Sequence, residues 1–480
     1  MEPTELSTPQ DGEVTTKKKS KKKVLGYSLA VLFLGLGGGA LAFLFLLGGG
    51  PQPEDILPKD TVAIAKIDLD PKIGQRVNLV RFLSKFPNTL EDFDEDDPIG
   101  SILKQNDLTA SIEWEAVKPW IGNRYAVAVL ESANELKPVL VLAITNQEEM
   151  EYYFLKNHPE LDYEVISDYV VIAESKSVVN LIVNAPSVLS ENEKYQSDMK
   201  TLGGDQIASV WIDLRPISGL VADYFNDSFY EGAFEEAIGT TNAAQGRIAL
   251  GMHFTPDAFV TDMITVDIGS NDEVSEYVSK SIEVLGGLPS SVMGAVSIEG
   301  VKDSISKSLL SSSEVRDLLD SLGLRESEVT ALFDGPVVVM ALDRGIGTAP
   351  LFAIRFEPNN PDSVVLSMRQ LLSRNLVDPR ELDGVLFVDN NYLYLAEDSK
   401  LIREALMRAK SNGTNLGDSD LFKATITESG NLSAFVNLAK LLSRLDVDTN
   451  GAPLSGLGFI AGADEKIPGV TRASLVVSVK

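Results

Sequence analysis

From residue 57 onward, short runs rich in Val, Ile, Leu and Ala alternate with stretches whose apolar positions recur at helical spacing. Residues 61–68 read as a strand by their β-branched content, and Asp70-Pro71 opens a helical segment with Val77, Val80 and Leu83 on one side. Residues 120–130 and 138–145 are apolar runs joined by a loop around Asn134, the pattern of a β-hairpin. A helix over about 147–157, a second hairpin made of 163–167 and 169–174, and a helix over 176–184 follow. Beyond them come a strand at 207–214, a helical region through Phe234, and a strand pair at 247–254 and 259–267 about the turn Thr255-Pro-Asp. Val274, Val278, Ile282 and Leu285 then mark one face of an amphipathic helix over 272–286, which ends at Gly286-Gly287.

At that glycine pair the pattern starts again. Leu57-Pro58 corresponds to Leu288-Pro289, Arg124 to Leu130 matches Pro336 to Leu342, and Pro138 matches Pro350. Tyr169-Val-Val-Ile-Ala-Glu174 is echoed by Tyr392-Leu-Tyr-Leu-Ala-Glu397, Ser209 to Leu214 by Ser433 to Leu438, and Arg247-Ile-Ala-Leu by Arg472-Ala-Ser-Leu. The order predicts an α+β protein of two tandem repeats, 57–270 and 288–480, joined by the helix within 271–287. Each repeat is expected to be an antiparallel sheet with helices packed on one face, because hairpins recur with helices inserted between them. On this alignment the second repeat ends inside its last hairpin, and 259–267 has no equivalent.

A different pattern precedes the repeats. Residues 24–47 contain no charge, and 24 residues in a helix extend roughly 36 Å against a hydrocarbon core of about 30 Å. The apolar run continues past Ala40-Leu41-Ala42, beyond the usual length of a cleaved signal core, so it reads as a retained transmembrane helix. Lys17, Lys18, Lys19, Lys21, Lys22 and Lys23 lie immediately before it, which places the N-terminus in the cytoplasm and the repeats outside the plasma membrane. Residues 1–23 form a polar, disordered cytoplasmic tail and 48–56 a Gly/Pro linker. Gly35 with Gly39, and Gly38 with Ala42, make small-residue pairs that suit close helix packing, although glycine is common in membrane helices in any case.

Charge and composition narrow the functions. The first 50 residues hold six Lys and four acids, leaving 36 basic and 66 acidic residues beyond them, a net of −30. Such a surface repels nucleic acid. The absence of cysteine excludes disulfides, thiol catalysis and cysteine zinc sites. Of the two histidines, His158 falls at a helix end and His253 in a strand with no histidine or carboxylate at a motif spacing, so both read as structural. Asp446, Asp448, Asn450 and Gly451 begin a calcium-loop pattern, but Leu457 stands where the bidentate Glu belongs, and Asp, Asn and Gly are ordinary turn formers. Asp92-Phe-Asp94-Glu-Asp96-Asp97 reads as a solvated acidic loop, and Trp114, Trp120 and Trp211 as core aromatics. No residue is assigned as catalytic, cofactor-binding or metal-ligating, and no cofactor is expected.

Gly48-Gly-Gly-Pro-Gln-Pro-Glu-Asp-Ile-Leu-Pro-Lys-Asp-Thr-Val-Ala63, with Ile67-Asp-Leu-Asp-Pro71 and Val80-Arg-Phe-Leu-Ser-Lys-Phe-Pro87, closely resembles domain-of-unknown-function family 3352. Val117-Lys-Pro-Trp-Ile-Gly-Asn-Arg124 is similar to that family's second landmark. The resemblance implies a basic cytoplasmic tail, one span and an external domain in the bacterial envelope, and it carries no catalytic residue. The cysteine pair of many members is missing here. The leading expectation is a non-enzymatic, membrane-anchored binding or scaffold module for another envelope component. A carrier or sensor of a lipid-like ligand would need an apolar cavity, and a carboxylate hydrolase would need a cleft where acids from separate strands converge.

Overall fold

The computed structural model describes residues 51–86, 114–132, 135–203, 205–216, 246–268, 279–302, 317, 320, 321, 325–345, 348–375, 379–445, 447, 453–464 and 467–480. The tail, the 24–47 run, the region before Phe234, the 272–278 part of the expected connecting helix, the acidic loop at Asp92, and Asp446, Asp448 and Asn450 lie outside them. No helix among the described residues is long and apolar enough to cross a membrane.

The alternating runs form sixteen strands. The first eight are β1 (Ala63–Asp68), β2 (Ile121–Ser132), β3 (Glu135–Ile144), β4 (Asp162–Ile166), β5 (Tyr169–Ala173), β6 (Ala208–Asp213), β7 (Arg247–Phe254) and β8 (Ala258–Val266). The second eight are β9 (Val292–Ile298), β10 (Val337–Leu342), β11 (Leu351–Phe356), β12 (Leu386–Asp389), β13 (Tyr392–Ala396), β14 (Leu432–Val436), β15 (Leu454–Ala463) and β16 (Val470–Val479). All sixteen join in one sheet in the order β12-β13-β11-β10-β9-β14-β15-β16-β8-β7-β6-β1-β2-β3-β5-β4. Read outward from the β16–β8 junction, the two halves have the same strand order, and every neighbouring pair is antiparallel. The protein is therefore α+β and dominated by one large antiparallel sheet rather than two separate ones.

Packed on this sheet are α1 (Ile73–Leu83), α2 (Gln147–Asn157), α3 (Lys176–Val183), α4 (Glu193–Leu202), α5 (Ser281–Gly286), α6 (Pro361–Asn375), α7 (Ser399–Asn412) and α8 (Asp420–Thr425). Asn146, Asn192 and Asp398 cap α2, α4 and α7 by accepting from first-turn backbone N–H groups. One core places Val178, Val179 and Ile182 of α3 and Tyr195 and Leu202 of α4 against Ile64, Tyr169, Val171, Trp211 and Ile264. Its counterpart packs Leu285, Ile402, Leu406 and Phe422 against Met340, Ala353, Tyr394 and Phe435.

The expectation of helices on one face does not hold. Val170 and Ile172 of β5 point away from the first core and pack with Met150 and Phe154 of α2 and with Trp120, while Val364 of α6 packs with Leu386 and Leu393. With both faces covered, all five residues of β5 are buried. The amphipathic side of α1 also differs from expectation: Leu79, Phe82 and Leu83 are buried, whereas Val77 and Val80 are exposed. Phe82 packs on Phe254, which turns the opposite side outward.

Strand register corrects the repeat alignment. Ser209 pairs with Gly251 and Gly251 with Asp262, while the equivalent Ser433 pairs with Ile460 and Ile460 with Ser474. β15 and β16 are thus the counterparts of β7 and β8, so the last hairpin is complete. Arg247 corresponds to Gly456 rather than Arg472, and Pro138 to Phe352 rather than Pro350. Asp262 and Ser474 are each other's counterparts and also direct partners across β8 and β16, so a local two-fold axis passes through that pair.

The halves solve the packing beneath α4 and α8 differently. Asp198 of α4 is buried, accepting from Arg247 Nε at 2.7 Å and from Trp211 Nε1 at 2.9 Å. At the equivalent sheet positions the second repeat has Gly456 and Phe435, and a Cβ on the neighbouring Gly458 would lie 2.0 Å from the Thr425 carbonyl oxygen. An ion pair fills the space in one half. Close backbone approach removes it in the other.

Asp198→Ala leaves the largely buried Arg247 with only the exposed Asp267 carboxylate, 3.3 Å from Nη1, and denaturant unfolding is expected to show a loss of about 3 kcal/mol. Gly458→Ala forces α8 off the sheet and is expected to cost about 1–3 kcal/mol in the same measurement. Gly384→Ala, with nothing within 4 Å of the added carbon, should cost nothing.

Candidate functional site

Two concavities stand out. One, of about 460 Å³, lies beside α7 and is bordered by Asp343, Arg344, Glu404 and Arg408. Arg444 donates to the carboxylate of Asp343, which holds that carboxyl below the ordinary range. The larger, of about 780 Å³, lies on the local two-fold axis and draws its walls from both repeats. Strand alternation explains which side chains reach it. His253 of β7, Val260, Asp262 and Ile264 of β8, and Arg472, Ser474 and Val476 of β16 share the face covered by α4 and α8. Leu202 at the end of α4 and Thr427 to Asn431 after α8 close its sides.

Symmetric in backbone, the cleft is asymmetric in chemistry. Strand register makes Gly462 the counterpart of His253, and Val260 that of Arg472. The first repeat supplies the imidazole and the Asp262 carboxylate. The second supplies Glu428, Asp464 and Arg472. Arg472 donates through Nε to Asp464 and through Nη1 to the carbonyl of Thr201 at 2.8 Å, so it ties β16 to the end of α4 across the junction. With His253 neutral, the side chains leave an excess of negative charge and of hydrogen-bond acceptors.

His253 Nδ1 lies 3.3 Å from Asp262 Oδ2, within ion-pair distance although not aligned as a hydrogen bond. Burial holds the imidazole below its ordinary pKa of 6.5, and the Asp262 carboxylate offsets only part of that effect. Strand spacing alone did not reveal this partner, because the eight intervening residues reverse direction at Thr255-Pro-Asp and bring the two diagonally together only once the hairpin register is set.

The other candidates fall elsewhere. His158 caps the C-terminus of α2 on the surface, 3.8 Å from Glu160. Trp114, Trp120 and Trp211 are buried core residues. Asp446, Asp448 and Asn450 are outside the described residues, among which no cluster of three His, Cys, Asp or Glu forms a potential metal site. Compared with family models, curated proteins and solved structures, the chain matches none.

The histidine makes a pH prediction. Its folded pKa lies below its unfolded value of 6.5, so the unfolded chain binds more protons between the two values. That contribution to stability is fully present above pH 6.5 and declines as the pH falls through 6.5 toward the folded value. His253→Gln is expected to flatten this part of the stability profile, measured by urea unfolding at successive pH values.

Proposed function

We propose that this is a single-pass, membrane-anchored extracytoplasmic binding module, with its N-terminus in the cytoplasm, 24–47 as its transmembrane helix and the cleft on the two-fold axis as its ligand seat. The observation that carries the reading is that duplication builds this one cleft from both repeats and gives it different ionisable groups on its two sides. The lysine run before an uncharged span supports the topology. The ligand is a polar molecule or an exposed polar segment of another envelope component that presents more hydrogen-bond donors than acceptors. Mixed polar walls disfavour a lipid-like ligand in this cleft. Asp262 and Asp464 do approach one cleft from different strands, but each faces a basic partner, His253 and Arg472 respectively, an arrangement suited to binding more than to paired carboxyl catalysis.

In cells producing the full chain, alkaline carbonate is expected to leave it in the membrane pellet, and protease added to intact spheroplasts to digest the body. Recovery in the soluble cytosol overturns the topology. Native mass spectrometry of the detergent-solubilised chain is expected to find one polar ligand or partner per chain, lost in Asp262→Lys; retention by that variant moves the seat elsewhere.

A further inference from the structure

α1 is an unusual helix in an acidic protein. The segment 72–85 that contains it has Lys72, Arg76, Arg81 and Lys85 and no acid; Lys72, Arg76 and Lys85 pair with Asp205, Asp70 and Asp257 elsewhere in the fold, which leaves Arg81 without an ion pair among the described residues. Ile73, Val77 and Val80 fall on one stripe at i, i+4 and i+7, and they are 78, 44 and 49% exposed. Arg76 and Arg81 flank that stripe on its two sides. The opposite side holds the helix to the protein through Leu79, Phe82 and Leu83, and through Asn78 and Gln75, which bond the backbone of Phe254 at 2.9 Å each.

Its place in the fold is as informative as its composition. α1 follows the C-terminal end of β1 and runs to the β7–β8 turn, where Lys85 pairs with Asp257. It therefore lies across one end of the sheet with its apolar stripe facing away. The described chain begins at that same end, because Tyr169 donates to the carbonyl of Pro51 at 2.6 Å and Gln52 Nε2 to Asp68 Oδ2 at 3.1 Å. Leu47, the last residue of the uncharged run, is four residues before Pro51, a reach of at most about 14 Å.

We propose that α1 lies in the outer surface of the membrane, its Ile73, Val77 and Val80 stripe in the acyl boundary and Arg81, with the exposed ammonium of Lys72, against anionic lipid headgroups. This rests on the single-span reading of 24–47. The second repeat supplies an internal contrast. Seven antiparallel steps separate β1 from β9, so β9 ends at the opposite end of the sheet. The stretch of sequence that corresponds to 72–85, residues 303–316, has Lys307 and Arg316 balanced by Asp303 and Glu314. A net basic charge accompanies the apolar stripe only in the first repeat, as an interfacial helix beside the anchor requires.

Having no native cysteine, the chain accepts a single reporter cleanly. Val77→Cys carrying an environment-sensitive fluorophore, in full-length protein reconstituted into phosphatidylethanolamine/phosphatidylglycerol vesicles, is compared with Leu34→Cys in the span and Leu366→Cys, exposed on α6 near the far end. Blue-shifted emission quenched by nitroxide-bearing lipid is expected at positions 34 and 77 and not at 366, with the signal at 77 weakened by Arg81→Glu or by replacing phosphatidylglycerol with phosphatidylcholine. Quenching at 34 with water-like emission at 77 overturns the proposal and leaves the anchor intact. Absence of quenching at 34 overturns the anchor and the proposal together. A shift at 77 that appears only as protein density rises assigns the stripe to a second copy of the chain and overturns the lipid contact.

Discussion

The pairing of β8 with β16 is the constraint on which the rest of the molecule depends. Nine residue pairs, from Val470 with Val266 to Ser478 with Ala258, convert two eight-stranded halves into one sheet. Without it each half would present its final strand as a long unpaired edge, a template for association with other chains. With it the remaining edges are β4 and β12, only five and four residues long, and α3 and α6 lie against them. The same pairing creates the two-fold axis, and hence the one cleft that belongs to neither repeat alone.

Around a shared backbone plan the repeats have diverged by exchanging volume for charge. Beneath α4, Asp198, Arg247 and Trp211 form a satisfied polar cluster within an otherwise apolar core. Beneath α8, glycines at 456 and 458 let the helix backbone approach the sheet directly. Both bring helix and sheet into contact, in an interior where voids are costly. The two are not interchangeable piecemeal: an arginine at 456 would have no space, and a glycine at 247 would strand Asp198 in the core.

Much of this architecture is legible in the chain, and the exceptions have physical causes. Hairpins such as 163–167 with 169–174 announce themselves because apolar runs flank a turn, here closed by Ser167 in the left-handed region at φ 54°. β15 does not, because Gly456, Gly458 and Gly462 thin its apolar pattern, and those glycines are there for α8 and the loop after it. Losing β15 shifted the alignment by one strand and left β8 without a counterpart. The second helix layer was hidden for another reason: β5 reads Tyr-Val-Val-Ile-Ala with no polar residue to mark an outer face, and such a run fits burial on either side or both. The His253–Asp262 contact and the whole cleft depend on register and on pairing between strands some 200 residues apart, which no local pattern encodes. For α1, apolar residues occur on both sides of the helix, and only packing of Phe82 on Phe254 decides which side is covered.

A final asymmetry concerns the corner of the sheet beside Pro51 and Gln52. Asp68 accepts from Gln52 and from Arg124; Arg124 also reaches Asp70 at 3.4 Å, and Asp70 pairs with Arg76 at the start of α1. These charges are largely buried, and such clusters rarely add stability beyond what apolar residues of similar size would supply. What they add is direction, because Gln52, Arg76 and Arg124 come from three different segments and converge on the two acids at 68 and 70. The second repeat has Pro336 in place of Arg124 and Glu299 in place of Asp68, with Glu299 accepting from the Lys280 backbone N–H instead. The network thus exists only in the half that receives the chain from residue 51, and it couples that segment to β1, β2 and α1 as one rigid corner.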